Sequence, residues 1–410
     1  MRVVFLAIGD ELLRGESRES NGAALAWQLT QLGLQLASMA VVGDSRVAIA
    51  KAIADAGREG PVALIISGGL GPTDDDFSRD AIALALDVPL VHSVQAMEQI
   101  ERRFARFGRT MHPSNERQAW IPQGARLVEN RHGTAPGFAC QHRGTVVLAL
   151  PGVPREFSAM LADFLSEFVT SAGLVPQSRE EVTLRLFGIA EGDMQGVLHG
   201  LPHYTAAQMR SLPQWPEIRL KLARAGDQTA YAALLAEVQA HLGRHIYGQG
   251  DADSHAAAVL RALQARQATL AVAESCTGGL LASLLTDVPG ASQSLLLGVV
   301  AYANDAKLQV LDVDPALLQA HRAVSLEVAA AMAQGARRRS GADVAVATSG
   351  IAGPQGGSDD KPIGTLCLAV ADGSGVWPER VQLPGLDRQR FKVLAAHMAL
   401  DRVRAWAQRS

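Results

Sequence analysis

Val62-Ala63-Leu64-Ile65-Ile66-Ser67-Gly68-Gly69-Leu70-Gly71-Pro72-Thr73-Asp74-Asp75-Asp76 passes from a short apolar run straight into glycines and then carboxylates. The apolar run is too short for a helix and fits a strand buried on both faces. The glycines allow the backbone to approach a ligand closely and to point N–H groups at an anion. Three successive aspartates cannot all face one way in a tight turn, but one or two can hold a hard divalent cation beside a phosphate. An ordinary turn with a solvated acidic cap is the competing reading of the same residues.

Outward from this run the pattern repeats. Residues 2–8 form another apolar strand, ended by Gly9-Asp10-Glu11, with Gly15 and Asn21 beyond it. Asn21–Leu32 and Val47–Ala56 read as helices, and Ala37–Val42 and Thr145–Leu150 as strands. Arg155–Val169 is a further helix, followed by a Ser/Gly/Pro-rich break at 170–179. Short apolar strands alternating with amphipathic helices predict βαβ units and a mostly parallel sheet. Two more loops, Gly133–Phe138 and Pro151–Glu156, fall beside predicted strands. In an open parallel sheet such loops converge on one crevice. That makes Gly9, Asn21, Gly68, Gly69, Gly71, Thr73 and Gly152 candidate substrate contacts of the N-terminal module.

Residues 180–248 differ. Val182, Leu184 and Leu186, and again Ile218, Leu220 and Leu222, alternate with polar or smaller residues, as in half-solvated strands of a small α+β unit. Thr229–Leu242 is helical, and 247–254 is a second break. From His255 a second α/β module begins, with a helix at Ala256–Gln264 and strands at Thr269–Ala273 and near 294–302, 343–348 and 364–370. The expected layout is three domains, 1–170, 171–250 and 251–410.

Composition removes several function classes. The chain has 410 residues, 48% apolar and 19% charged, with 38 basic against 41 acidic side chains. There is no basic excess for nucleic acid and, at 5% aromatics, little for base stacking. No apolar run approaches the ~18 residues of a membrane helix, and the acidic residues after position 9 argue against a signal peptide. Cys140, Cys276 and Cys367 are odd in number and far apart, which excludes a disulfide framework or cysteine zinc site. A soluble cytoplasmic protein is expected, with no nucleic-acid or membrane partner.

In the C-terminal module Ala273-Glu274-Ser275-Cys276-Thr277-Gly278-Gly279 joins a strand to a helix. A serine at such a turn is exposed, and free amides of the helix start can receive an oxyanion. Serine needs a base. No histidine follows before His321, so the candidates are Tyr302 and Lys307 in Ala301-Tyr302-Ala303-Asn304-Asp305-Ala306-Lys307. A desolvated lysine has its pKa pushed down and can act as base. Cys276 is the rival nucleophile and needs a thiolate-stabilising partner; otherwise it is core. Ser349-Gly350-Ile351-Ala352-Gly353-Pro354 is a second glycine loop able to surround a phosphate or ribose. Candidate substrate contacts here are Thr277, Gly278, Gly279, Asn304, Ser349, Gly350 and Gly353.

The Gly9-Asp10-Glu11-Leu12-Leu13 start, the Gly68–Asp76 loop and Pro151-Gly152-Val153-Pro154-Arg155-Glu156 resemble the molybdopterin-binding (MoaB/MogA-like) fold and, more closely, the N-terminal domain of the CinA family. The resemblance runs in order through the chain. It implies a three-layer α/β module with divalent-metal-dependent pyrophosphatase activity on ADP-ribose, its acidic residues mapping onto Asp10, Asp75 and Asp76. Glu19 stands where aspartate is usual, and Ser78 where threonine is. The middle segment is similar to the family's KH-like connector. It lacks the G-x-x-G clamp of a nucleic-acid-binding KH domain, and so reads as a structural spacer. The C-terminal motifs, including A-E-S-C-T-G-G, Y-x-N-x-x-K and G-I-A-G-P-x-G-G, resemble the CinA C-terminal (PncC) domain, which deamidates nicotinamide mononucleotide. That resemblance implies Ser275 as nucleophile, Tyr302 and Lys307 as its activators, Ser349 and Arg388 near substrate, no cofactor for the deamidation, and a homodimer. Arg322 stands where glycine usually precedes Ala-Val-Ser. A non-catalytic nucleotide- or molybdopterin-binding protein is the alternative.

Overall fold

The computed structural model describes residues 2–171 and 180–409. Most of the expected break at 170–179 therefore lies outside the described residues. The chain divides into two compact units, 1–179 and 180–410. The segment expected as a separate connector packs with the C-terminal module in the second unit.

The first unit holds strands β1 (Arg2–Ile8), β2 (Gln35–Val42), β3 (Ala63–Ser67), β4 (Leu90–His92), β5 (Trp120–Pro122), β6 (Arg126–Val128), β7 (Gly137–His142) and β8 (Thr145–Leu150). Its helices are α1 (Asp10–Leu13), α2 (Asn21–Gln31), α3 (Arg46–Gly57), α4 (Ser78–Leu86), α5 (Val94–Arg106) and α6 (Pro154–Ser171). The main sheet runs β2-β1-β3-β8-β7-β6. The first four strands are parallel, but β8-β7 and β7-β6 are antiparallel. The sheet is thus mostly parallel, as expected, with an antiparallel edge at β7 and β6. The cause is local: Arg143 and Gly144 both take positive φ, 49° and 83°, as a two-residue hairpin between β7 and β8 requires. Alternate residues of β1 feed opposite layers. Val4, Leu6 and Ile8 pack with Ile49, Ile53 and Ile82. Val3, Phe5 and Ala7 pack with Leu25, Leu29 and Phe157. Helices on both faces make the expected three-layer sandwich.

In the second unit β9 (Glu181–Phe187), β10 (Ala207–Gln214), β11 (Glu217–Arg224) and β12 (Ile246–Gln249) form an antiparallel sheet in the order β10-β11-β9-β12. Helices α7 (Glu191–His199) and α8 (Gln228–Leu242) cover it through Met194, Leu198, Leu234 and Val238. The alternating Val182–Leu186 and Ile218–Leu222 patterns lie on β9 and β11.

The C-terminal sheet contains β13 (Leu270–Glu274), β14 (Leu295–Val300), β15 (Val344–Gly350), β16 (Thr365–Ala371) and β17 (Val376–Gln382), in the order β14-β13-β15-β16-β17. It is parallel through β14-β13-β15 and antiparallel beyond. Around it lie α9 (His255–Ala265), α10 (Leu280–Thr286), α11 (Asn304–Leu311), α12 (Pro315–His321), α13 (Leu326–Ser340) and α14 (Arg388–Ala407). Side-chain caps fix several starts: Ser254 accepts from the Ala257 amide, Ser325 from Val328 and Asp387 from Arg390. Val272 and Val346 face α9 and α14, whereas Ala273 and Ala347 face α13. Among the described residues, no helix is long and apolar enough to cross a membrane.

Candidate active site

The turn after β13 is shaped by its glycines and by one buried carboxylate. Gly278 and Gly279 take φ 61° and 90°, a left-handed path that favours glycine. Glu274, fully buried, accepts hydrogen bonds from the amides of Gly279 (2.9 Å), Leu281 (3.1 Å) and Ala282 (2.8 Å). The α10 amides expected to be free for an oxyanion are therefore already taken. The Ser275 amide donates to Thr348 O at 2.9 Å. Among the described residues the Cys276, Thr277 and Gly278 amides donate to no other residue.

Lys307 sits fully buried beside Ser275, its Nζ 3.3 Å from Oγ. The same nitrogen donates to the carbonyls of Ala301 (2.9 Å) and Tyr302 (3.0 Å). A neutral amine has two N–H bonds and one lone pair. Two carbonyls can take the hydrogens, leaving the lone pair for the hydroxyl. Burial holds the Lys307 pKa below its usual value. Ser275 is partly exposed, whereas Cys276 is buried and burial pushes its thiol up to about 12. A thiol held protonated is a poor nucleophile.

Tyr302 is placed differently from expectation. Its exposed hydroxyl meets Arg388 Nη2 at 2.7 Å, and its backbone carbonyl, not its phenol, contacts Lys307. Arg388 also donates to Gly353 O at 3.0 Å, which ties the second glycine loop to the start of α14. Thr277 and Ser349 are fully buried, with hydroxyls committed to Thr348 Oγ1 and Ala323 O, each at 2.7 Å. Both brace the site instead of facing it. A Cβ on Gly350 would strike Phe391, Thr365 O and Cys276 Sγ, so this glycine is a packing requirement. Asn304 is exposed at the start of α11. Arg322 is exposed and ends α12 at φ 60°, ψ 169°. Sequence reading missed Lys392, whose amine lies against Gly278, where a Cβ would sit 3.4 Å from Nζ. Its spacing of four from Arg388 was the available signal.

In the first unit the loops after β1, β3 and β8 meet. A Cβ on Gly68 would lie 2.3 Å from Ile8 O, and one on Gly152 would lie 3.3 Å from Gly68 Cα. They border a cavity of about 430 Å³ lined by Gly9, Glu11, Asp44, Gly68–Thr73, Asp75, Asp76, Gly152 and Glu156, among others. Asn21 holds it together, donating to Ser67 Oγ and Gly152 O, both at 2.8 Å. The three expected metal ligands do not act alike. Asp10 accepts from the Asp44 amide (3.1 Å) and pairs with Arg14 (2.9 Å). Asp76 accepts from the Gly71 and Thr73 amides, each at 2.8 Å, and from the Thr73 hydroxyl. Asp76 therefore shapes the loop. Asp74 turns outward to Arg117 at 3.2 Å. Asp75 faces the cavity with Asp44 and Glu11. Burial raises the Asp44 pKa, and Glu11, Asp10 and Asp75 push it the same way. Carboxylates gathered on one side of a glycine-lined cavity fit a hard dication held by a few protein oxygens plus water and phosphate.

Glu19 serves as a cap for α2, accepting from the Asn21 (2.7 Å) and Gly22 (2.9 Å) amides. Ser78 donates to Gly68 O at 2.7 Å. Both side chains are thus committed to backbone groups of the loops they serve. Asp44 and buried Arg79 escaped sequence reading. Arg79 donates to Leu70 O (2.6 Å) and Gly71 O (2.9 Å), and burial lowers its pKa to about 10.

Three family models match consecutive segments: "Probable molybdopterin binding domain" over 4–171, "Damage-inducible protein CinA KH domain" over 181–248 and "CinA C-terminal domain" over 252–406. A CinA-like protein of Geobacter sulfurreducens is 40% identical over 412 residues, covering 98% of each chain. The chain belongs to the CinA family. Another CinA-like protein, of Anaeromyxobacter dehalogenans, is 41% identical over 411 residues, covering 98% of this chain and 99% of that one. Among solved structures, the competence/damage inducible protein CihA from Agrobacterium tumefaciens is 37% identical, covering 38% of this chain and 94% of its own, with a TM-score of 0.37. The three-part order of the CinA family thus spans two compact units here, with the KH and C-terminal segments sharing the second.

Proposed function

We propose that the second unit is an amidohydrolase that converts nicotinamide mononucleotide and water to nicotinate mononucleotide and ammonia. The observation that carries this reading is Ser275 Oγ at 3.3 Å from the buried Lys307 amine, whose other two contacts are carbonyls. Ser275 Oγ attacks the carboxamide carbon while Lys307 takes its proton. The Cys276 and Gly278 amides face the developing oxyanion. Lys307 returns the proton to the leaving nitrogen, ammonia departs, and an ester to Ser275 remains. Water, deprotonated by Lys307, cleaves that ester and regenerates the hydroxyl. Arg388 and Lys392 suit the nucleotide phosphate. The test is ammonia release from nicotinamide mononucleotide by the full chain, compared with Ser275→Ala. A purely nucleotide-binding protein would bind the mononucleotide and release none.

A second activity is supported in the first unit by the glycine-lined cavity and its acidic side: pyrophosphate cleavage of ADP-ribose. Asp75, with Asp44 and Glu11, would hold a divalent ion, which when bound neutralises pyrophosphate charge. The Gly68, Gly69 and Gly71 backbone cradles the phosphates, and Arg79 keeps that loop in shape from beneath.

A further inference from the structure

The seam between the connector sheet and the C-terminal layers contains a polar cluster that neither proposed activity uses. Phe187, Tyr247 and Ala258, with Leu394 and Met398, form a small apolar cluster there. His255, the first residue of α9, is 1% exposed; His397 comes from α14, and Glu217 from the first position of β11. His255 Nδ1 lies 3.3 Å from His397 Nδ1, which lies 3.3 Å from Glu217 Oε1. Among the described residues this is the one trio of such side chains whose ligand atoms lie within 4.8 Å of one another.

Hydrogen bonding does not satisfy this arrangement. His255 Nε2 is buried and has no hydrogen-bond partner; the Asp401 Oδ1 atom nearby is 3.9 Å away. If His255 Nδ1 carries the proton and donates to His397, the His397 lone pair is used and Glu217 Oε1 receives nothing from that ring. If His397 carries it toward Glu217, the proton of His255 sits on Nε2 with no acceptor in reach. Protonating either ring is opposed by burial. Each tautomer leaves a buried polar atom unmet, which is costly in a folded interior.

We propose that Glu217, His255 and His397 form a structural site for a zinc-type divalent cation that staples the connector to the C-terminal module. A tetrahedral ion with ~2.0–2.1 Å bonds holds its ligand atoms about 3.3–3.4 Å apart, which matches the two 3.3 Å separations. Two neutral imidazoles and one carboxylate are a donor set for zinc and its first-row neighbours, not for magnesium or calcium. With His255 Nδ1 on the ion, its Nε2–H lies on the side of Asp401, whose Oδ1 is 3.9 Å away and would have to close by several tenths of an ångström to orient the ring as a carboxylate–histidine–metal arrangement does. Tyr247 stacks on His255 at 4.5 Å and 17°, fixing the ring plane. Arg185 pairs with the other Glu217 oxygen at 3.5 Å, and Arg404 with Asp401 at 2.8 Å. The surroundings are thus locally neutral before the ion enters.

The full chain, stripped with chelator and dialysed, should be titrated with Co²⁺ while its visible absorption is recorded. A tetrahedral nitrogen-containing site gives intense d–d bands; an all-oxygen, water-rich site in the first unit gives weak ones. The expected result is an intense band saturating at one equivalent and abolished by one equivalent of Zn²⁺. It should be lost in His397→Gln and Glu217→Gln chains whose circular dichroism matches the parent. Zn²⁺ should also raise the melting temperature of the parent and not of the variants. Absence of the intense band in the parent, or its persistence in both variants, overturns the proposal; the parent titration decides even if a variant fails to fold.

Discussion

Replacing Arg322 by glycine should stabilise the second unit. Arg322 closes α12 at φ 60° and ψ 169°, a region reserved almost wholly to glycine because a Cβ there crowds the backbone. Holding another residue in it costs on the order of 1–3 kcal/mol. Glycine has more freedom to lose on folding, which takes back roughly 0.5–1 kcal/mol. The two hydrogen bonds that fix the corner, Arg322 N to Leu318 O at 3.0 Å and Ser325 Oγ to Arg322 O at 3.1 Å, use no side-chain atom of residue 322 and survive the change. The arginine side chain is exposed, so its loss counts for little. A net gain of about 1 kcal/mol remains, or a rise of ~2–4 °C in melting temperature for a unit of this size. Scanning calorimetry of the full chain measures it, with Arg322→Ala as the control that removes the side chain but keeps the Cβ. The alanine variant should melt at or below the parent. If alanine and glycine variants melt alike, the backbone is not strained and the reasoning fails.

Ser275→Ala should abolish ammonia release by several orders of magnitude, since a nucleophile and its base fail as a unit, whereas Cys276→Ala should keep most of it; an inactive cysteine variant at equal folded fraction would show thiol chemistry instead. The pH dependence follows from Lys307. Burial lowers its folded pKa below the usual 10.5, so between that lowered value and 10.5 the folded chain binds fewer protons than the unfolded chain. Its contribution to stability therefore rises with pH across the window and is lost as pH falls through the folded pKa. Ammonia release should rise with pH over the same acid limb as the amine becomes neutral, and a rate flat through that range would refute Lys307 as base. Lys307→Met should remove the pH-dependent difference in urea midpoint. EDTA added to the assay should stop ADP-ribose cleavage and spare ammonia release, because the groups contacting Ser275 are not metal ligands; equal loss of both would collapse the two-site reading.

What the sequence made legible were loops with a local signature. Gly68–Asp76 and Ala273–Gly279 announce themselves because glycine and acid or hydroxyl residues interrupt buried strands at the point where a parallel sheet exposes its carboxyl edge. The antiparallel edge of the first sheet stayed hidden, because β6 is only three residues long and β7 begins inside the Gly133–Phe138 stretch that reads as a glycine loop; β4 and β5, three residues each, form a separate two-stranded sheet and are too short for any periodicity to register. Side-chain orientation was also invisible. Nothing in Asp74-Asp75-Asp76 tells that the first pairs outward and the third folds back on Thr73, leaving the middle one for the cavity. Tyr302 lies five residues from Lys307 and contacts it through its carbonyl, a role no residue type can advertise. Asp44 follows no motif and gains meaning only when β2 pairs beside β1. The His255–His397 contact spans 142 positions, a distance no local pattern reaches.

Glu274 already answers the positive end of α10, so that helix start is closed to a phosphate. A nucleotide with its carboxamide at Ser275 must send its anionic tail elsewhere, toward Arg388 and Lys392 on the opening turns of α14. On the deamidase reading proposed above, the site would work as a gauge with two jaws, a reactive one that accepts a neutral amide and a cationic one that grips a dianion. Only a molecule long enough to seat in both is held in the reactive pose. Free nicotinamide reaches one jaw, and nicotinamide riboside reaches across without being gripped. Both should be turned over far more slowly than the mononucleotide, a discrimination set by spacing and charge before any chemistry begins.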